Sequence, residues 1–163
     1  INRSIQGDLD KLFASDVDVQ VIWQTGRYYH EEALKHLKAY RGMPVWCSDF
    51  ITRMDYAYAA ADLIISRAGA SSISELCLLK KPVILVPSPN VAEDHQTKNA
   101  LALVDKEAAI LVADKDAEQQ LVPKALEVIH DDERLRLLSR NIATLAQHQS
   151  AERIVDEIVK IIE

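Results

Sequence analysis

Val83-Ile84-Leu85-Val86 sets four apolar side chains in succession, so a strand there has no face left for water. Leu63-Ile64-Ile65 and Ala109-Ile110-Leu111-Val112 have the same character. Strands buried on both faces belong to sheets covered by helices on both sides, and such sheets are parallel. The intervening segments carry helical patterns, at 54–61, 71–79, 96–105 and 117–129. Two more strands precede them, Val17-Asp18-Val19-Gln20-Val21-Ile22-Trp23 and Val45-Trp46-Cys47, with a helix at 29–40 between. In that helix Leu34 and Leu37 are expected on the inward side. Two helices close the chain, at 132–147 and 151–162. The fold class is therefore α/β, a Rossmann-like doubly wound parallel sheet of five strands with right-handed crossovers.

The chain opens on Ile1, with Ile5, Leu9, Leu12 and Phe13 at helical spacing. No signal-peptide pattern precedes this helix. We expect a single domain over residues 1–163, belonging to a longer chain whose first strand and loop lie upstream.

With 163 residues, 48% of them hydrophobic, the chain has enough apolar mass for one real core. Nineteen Lys and Arg against 25 Asp and Glu give a net charge of −6. That balance argues against a nucleic-acid partner, which needs a basic face for phosphates. Cys47 and Cys77 are too few for a disulfide scaffold, and Cys77, between Leu76 and Leu78, is expected in the core. Trp23, Trp46, Tyr56 and Tyr58 are expected to pack. His30, His36, His130 and His148 show no metal-ligand spacing.

In doubly wound sheets ligands bind beyond the carboxyl ends of the strands. The loops of interest follow Trp23, Cys47, Ile65, Val86 and Val112. With only four glycines, Gly7, Gly26, Gly42 and Gly69, the chain cannot build a G-x-G-x-x-G or P-loop signature. Gly69 is the informative one. It stands in Ser66-Arg67-Ala68-Gly69-Ala70-Ser71-Ser72, between a buried strand and a helix, where free backbone N–H groups and the helix dipole suit a phosphate. Glu75 lies one turn further on. Its carboxylate either accepts ribose hydroxyls or completes a Ser72-x-x-Glu75 capping box.

A second polar cluster runs Pro87-Ser88-Pro89-Asn90-Val91-Ala92-Glu93-Asp94-His95-Gln96-Thr97-Lys98-Asn99. It reads either as ligand-facing or as an exposed loop with Asp94 as the helix cap and Asn99 on the solvated face. Asp94 and His95 diverge as neighbours, and no nucleophile elbow is present, which argues against a hydrolytic triad.

These two segments, together with Lys81-Pro82-Val83-Ile84-Leu85-Val86-Pro87, Val21-Ile22-Trp23-Gln24-Thr25-Gly26 and Ala151-Glu152-Arg153-Ile154, resemble the MurG family of N-acetylglucosaminyltransferases over nearly the whole chain. The resemblance implies the C-terminal, donor-binding half of a two-domain GT-B enzyme. It implies UDP-N-acetylglucosamine as donor and a lipid-linked muramyl-pentapeptide as acceptor, the latter held by an N-terminal half. On that pattern the Ile51 backbone, after Phe50, reads uracil. Gly69, Ala70, Ser71 and Ser72 hold the diphosphate, Glu75 takes the ribose hydroxyls, His95 and Gln96 hold the sugar, and Asn99 supports them. No metal or other cofactor is expected, since the helix start stabilises the departing UDP, and no general base is identifiable in this half.

The implied setting is the cytoplasmic face of the inner membrane, with membrane contact made by the other half, and this half alone is expected to be inactive. Ser88 replaces a common aromatic of the family and Glu107 a common glycine. Two other readings stand beside this one: another UDP-sugar transferase or epimerase domain, and a non-catalytic nucleotide-binding or docking module.

Overall fold

A computed structural model describes residues 1–14, 19–90 and 94–162. Val17 and Asp18 of the first expected strand, and Val91, Ala92 and Glu93 of the second polar cluster, lie outside the described residues.

The elements alternate as the sequence pattern requires. In chain order they are α1 (Asn2–Gly7), α2 (Leu9–Phe13), β1 (Val21–Gln24), α3 (Arg27–Leu37), β2 (Val45–Ser48), α4 (Met54–Ala60), β3 (Ile64–Ser66), α5 (Ala70–Leu79), β4 (Val83–Leu85), α6 (His95–Val104), β5 (Ile110–Leu111), α7 (Ala117–Ile129), α8 (Asp132–Ala143) and α9 (Ser150–Ile162). Every strand pairing is parallel.

β4 shows why the sheet is wound on both sides. Val83 and Leu85 face a cluster with Leu76 and Cys77 of α5, Ala100 and Leu103 of α6 and Ile142 of α8. Ile84 and Val86, on the alternate face, meet Ala117, Leu121 and Ala125 of α7. All four side chains are fully buried, and at about 1.5–3 kcal/mol per buried aliphatic side chain this strand anchors the core. Under β1, Trp23 joins Ile5, Leu9 and Leu12 of the first two helices, Ala33 of α3 and Val122 of α7. Its indole N–H donates to Asn2 Oδ1 at 2.9 Å, while Asn2 Nδ2 donates to the Thr25 carbonyl at 2.8 Å. Asn2 thereby ties α1 to the end of β1.

Several expectations are corrected. The five strands pair as β1–β2 and as β3–β4–β5, with no ladder between β1 and β3 among the described residues. Val21, Cys47 and Ile65 nevertheless pack against the same cluster. The opening helix breaks at Asp8, because that residue leaves helical geometry at φ −119°, ψ 22°. Ala33 makes the inward contact of α3, and Leu34 is exposed. Trp46 and Tyr56 are exposed as well: Trp46 stands on the outer face of β2, and the Tyr56 ring lies under the Arg53 guanidinium at 3.8 Å.

α9 is amphipathic, with Ile154, Val155, Ile158, Val159, Ile161 and Ile162 all exposed. No helix among the described residues is long and apolar enough to cross a membrane.

Candidate functional site

The sequence-selected residues gather at the carboxyl ends of the strands, where the loops after β1, β2, β3 and β4 lie. α5 begins at Ala70 with Gly69 as its N-cap, and no side chain caps it. The first intrahelical bond runs from the Ile73 N–H to the Gly69 carbonyl at 2.9 Å. The N–H groups of Ala70, Ser71 and Ser72 precede that bond and form the open end of the helix, where the dipole presents partial positive charge. Gly69 has φ −67°, a value any residue adopts, and a Cβ there would meet only Ser72 Oγ at 3.8 Å. Nothing inside the chain demands glycine at this position; its lack of a side chain leaves the helix start open to approach.

The capping box does not form. With Gly69 as N-cap, Ser72 already lies inside the first turn and cannot close the helix end. Glu75 lies instead within electrostatic reach of the Tyr58 phenol of α4. Partial burial, then the negative charge of Glu75, push the Tyr58 phenol above its ordinary range.

Gln96 and Asn99, three residues apart on α6, grip the turn that leads into α5. Gln96 Oε1 accepts from the Ala68 N–H at 3.2 Å and from the Ser88 N–H at 2.8 Å. Asn99 Nδ2 donates to the Ala68 carbonyl at 3.1 Å. Both peptide groups of a fully buried residue are thus held by side chains of another helix. Asn99 therefore faces inward, against the reading that set it on the solvated face. Asp94 is the N-cap residue of α6, in the left-handed region at φ 54°, and its carboxylate accepts from Thr97 Oγ1 at 2.6 Å. His95 is exposed at the first turn of α6.

Ile51 is buried, and its backbone N–H donates to Gln24 Oε1 at 2.8 Å. Arg67 Nη1 bridges the carbonyls of Val86 and Pro87, at 3.1 and 3.2 Å, and the Asp114 carboxylate, lashing together the ends of β3, β4 and β5. Gln24, Tyr58 and the bracing by Arg67 were missed by the sequence reading. A polar residue closing an apolar strand was the available signal for Gln24; nothing local marked the other two.

A groove of about 990 Å³ lies elsewhere, between α8 and the turn from α5 to β4, lined by Lys80, Lys81, Pro82, Arg134 and Arg140 among others. It contains none of the site residues. The site itself is a rim of helix start and loops.

The family model of the glycosyltransferase family 28 C-terminal domain matches residues 1–158. The chain belongs to this family. The family 28 domain described here is 82% identical, over all of its length, to a Parabacteroides distasonis protein named UDP-N-acetylglucosamine–N-acetylmuramyl-(pentapeptide) pyrophosphoryl-undecaprenol N-acetylglucosamine transferase, of which it covers 44%. It is 57% identical to a Porphyromonas gingivalis protein of the same name, covering 42% of it. A crystal structure of Acinetobacter baumannii MurG superposes with a TM-score of 0.83 at 26% identity, covering 98% of this chain and 45% of that one. The resemblance read from the loop motifs and the Rossmann-like α/β fold class both stand on these matches. The family 28 domain spans less than half the length of these relatives.

Proposed function

We propose that this chain is the donor-binding half of an inverting N-acetylglucosaminyltransferase, which carries N-acetylglucosamine from its UDP conjugate to an undecaprenyl-pyrophosphoryl-muramyl-pentapeptide. The names of its relatives supply the substrates. The observation that carries the reading is the uncapped start of α5, with Glu75 one turn along the same helix.

In this reading the diphosphate rests on the N–H groups of Ala70, Ser71 and Ser72, with Gly69 leaving the approach clear. The ribose hydroxyls donate to the Glu75 carboxylate. Uracil lies along the Ile51 backbone. Gln96 turns its Nε2 donor to the sugar hydroxyls, because its Oε1 is already committed to Ala68 and Ser88, and His95 adds a second contact. Asn99 supports the site through Ala68. As the bond between the anomeric carbon and the diphosphate oxygen breaks, negative charge grows on UDP. Preorganised N–H groups and the helix dipole meet that charge without reorganising, and the reading requires no metal there.

The acceptor hydroxyl needs a general base within hydrogen-bond reach. That base, the acceptor site and attachment to the cytoplasmic face of the membrane are assigned to the part of the protein that the relatives carry beyond the matched half.

Titration of the chain with UDP, UDP-N-acetylglucosamine and ADP by calorimetry tests the reading. Both uridine ligands are expected to bind more tightly than ADP. Equal binding of UDP and ADP would favour a generic nucleotide-binding or docking module instead.

A further inference from the structure

Pro87 brings no N–H to a ladder, so the strand pairing of β4 stops there. The last rungs join the Val86 N–H to the Ser66 carbonyl at 2.8 Å and the Val112 N–H to the Leu85 carbonyl at 3.0 Å. Past them Arg67 takes over: its Nη1 donates to the carbonyls of Val86 and Pro87, both buried residues. One residue on, the Ala68 N–H shares Gln96 Oε1 with the Ser88 N–H. Arg67-Ala68 is thus fastened to Pro87-Ser88, and Gly69, the N-cap of α5, comes next. The guanidinium is a full cation set among carbonyls that carry only partial charges. Asp114, in the loop after β5, supplies a full countercharge, its carboxylate accepting from the same Nη1.

We propose that Asp114 is a positioning residue for the donor site, acting through Arg67 and not on the ligand. The inference rests on the donor-site reading above. Asp114 lies outside both polar segments that carry the site residues. As a carboxylate it cannot hold a diphosphate: like charges repel, and any direct effect on that ligand is unfavourable. Its effect through Arg67 has the opposite sign. With the carboxylate in place, a side chain that is 40% exposed stays against two carbonyls. Without it the guanidinium gains by turning to water. The loop that carries Gln96 then loses one of its ties to the turn presenting the N–H groups of Ala70, Ser71 and Ser72. Direct repulsion and positioning therefore predict opposite outcomes when Asp114 is removed.

The test titrates UDP by calorimetry, and follows uridine, which lacks the diphosphate, by ligand-observed NMR. In Asp114→Ala, UDP affinity is expected to fall about threefold or more while uridine affinity holds, so that the advantage of UDP over uridine shrinks. Asp114→Ser, whose hydroxyl is too short to reach Arg67, is expected to behave alike. Asp114→Asn keeps an oxygen for the Arg67 N–H and is expected to restore most of the affinity. Lysine cannot span two carbonyls and a carboxylate as the guanidinium does. In an Arg67→Lys background, Asp114→Ala is therefore expected to add no further loss. Unfolding midpoints measured alongside establish which variants are folded.

UDP affinity that holds or rises in folded Asp114→Ala or Asp114→Ser overturns the inference, since direct repulsion is then all that Asp114 contributes. Equal losses for UDP and uridine overturn it too, because the damage is then general and not to the start of α5. So does an equally large loss in the Arg67→Lys background, which would mean that Asp114 does not act through Arg67. Glu75→Ala separates the two levels. If it weakens UDP while Asp114→Ala leaves UDP alone, the donor site stands and the role of Asp114 falls. If UDP does not bind, or binds no better than ADP and regardless of Glu75, the donor-site reading falls and takes this inference with it.

Discussion

Asn99 reaches from α6 to the turn between β3 and α5, where its Nδ2 donates to the carbonyl of Ala68 at 3.1 Å. Gln96 holds the N–H of the same residue. The segment that presents the start of α5 is thus fixed by side chains of the neighbouring helix, and the two polar loops form one mechanical unit. Asn99→Ala leaves a buried carbonyl without its partner, at a cost of about 1–3 kcal/mol. Gln96→Ala strands two N–H groups and is expected to cost at least as much. Urea unfolding of both variants measures this, and native-like midpoints would show that the clamp contributes nothing.

Glu107 occupies the left-handed region at φ 51°, in the turn after α6 where its N–H donates to the Val104 carbonyl at 2.8 Å. A side chain there is strained by about 1–2 kcal/mol, partly offset by the greater freedom glycine has in the unfolded chain. The ion pair with Arg134, at 4.0 Å on the surface, adds little. Glu107→Gly is therefore expected to raise stability by about 0.5–1 kcal/mol, read from the same denaturation curves. A lower midpoint would contradict the strain argument.

Burial pushes both the Cys47 and the Cys77 thiol above the ordinary range, and Cys77 sits in the core cluster. The folded state thus favours the protonated thiols. The stability they contribute is present below the ordinary thiol range, near pH 8.5, and is lost as pH rises through the folded-state values. At pH 8 a disulfide reagent is expected to label the native chain slowly and to find both thiols at once after denaturation. Rapid native labelling of Cys77 would place it outside the core.

α9 shows exposed residues along its described length, whereas Leu145 and Ala146 just before it pack against the core. Truncation after Gln149 is therefore expected to leave the unfolding midpoint within about 2 °C of the intact chain. A larger fall would mean that α9 packs on this domain in solution.

Much of the architecture was legible because burial on both faces is written into the strands themselves. The run at 83–86 announced a covered parallel sheet, and Ala117–Ile129 begins and ends where its pattern said. Local pattern failed where a distant partner decides. Ser72-x-x-Glu75 has the spacing of a capping box, but the helix starts at Ala70 with Gly69 as its N-cap, and no side chain caps it. Asn99 read equally as ligand-facing or as solvated until Ala68 appeared opposite it. Trp46 and Tyr56 are aromatic and yet exposed, because the alternation of a strand and the turn of a helix put them on outer faces. Gln24 and Arg67 act across 27 and 47 residues of sequence, and no window of local periodicity contains such pairs.

The central claim is that Glu75 receives the hydroxyls of a ribose whose diphosphate rests on the start of α5. The most direct measurement is a two-by-two calorimetric titration of wild type and Glu75→Ala with UDP and with 2′,3′-dideoxyuridine diphosphate. Glu75→Ala is expected to weaken UDP by about 1–3 kcal/mol, the usual loss for a hydrogen bond to a charged group, and to leave the dideoxy ligand, already weak, unchanged. Equal losses for both ligands, or none for either, would contradict the assignment of Glu75 to the ribose.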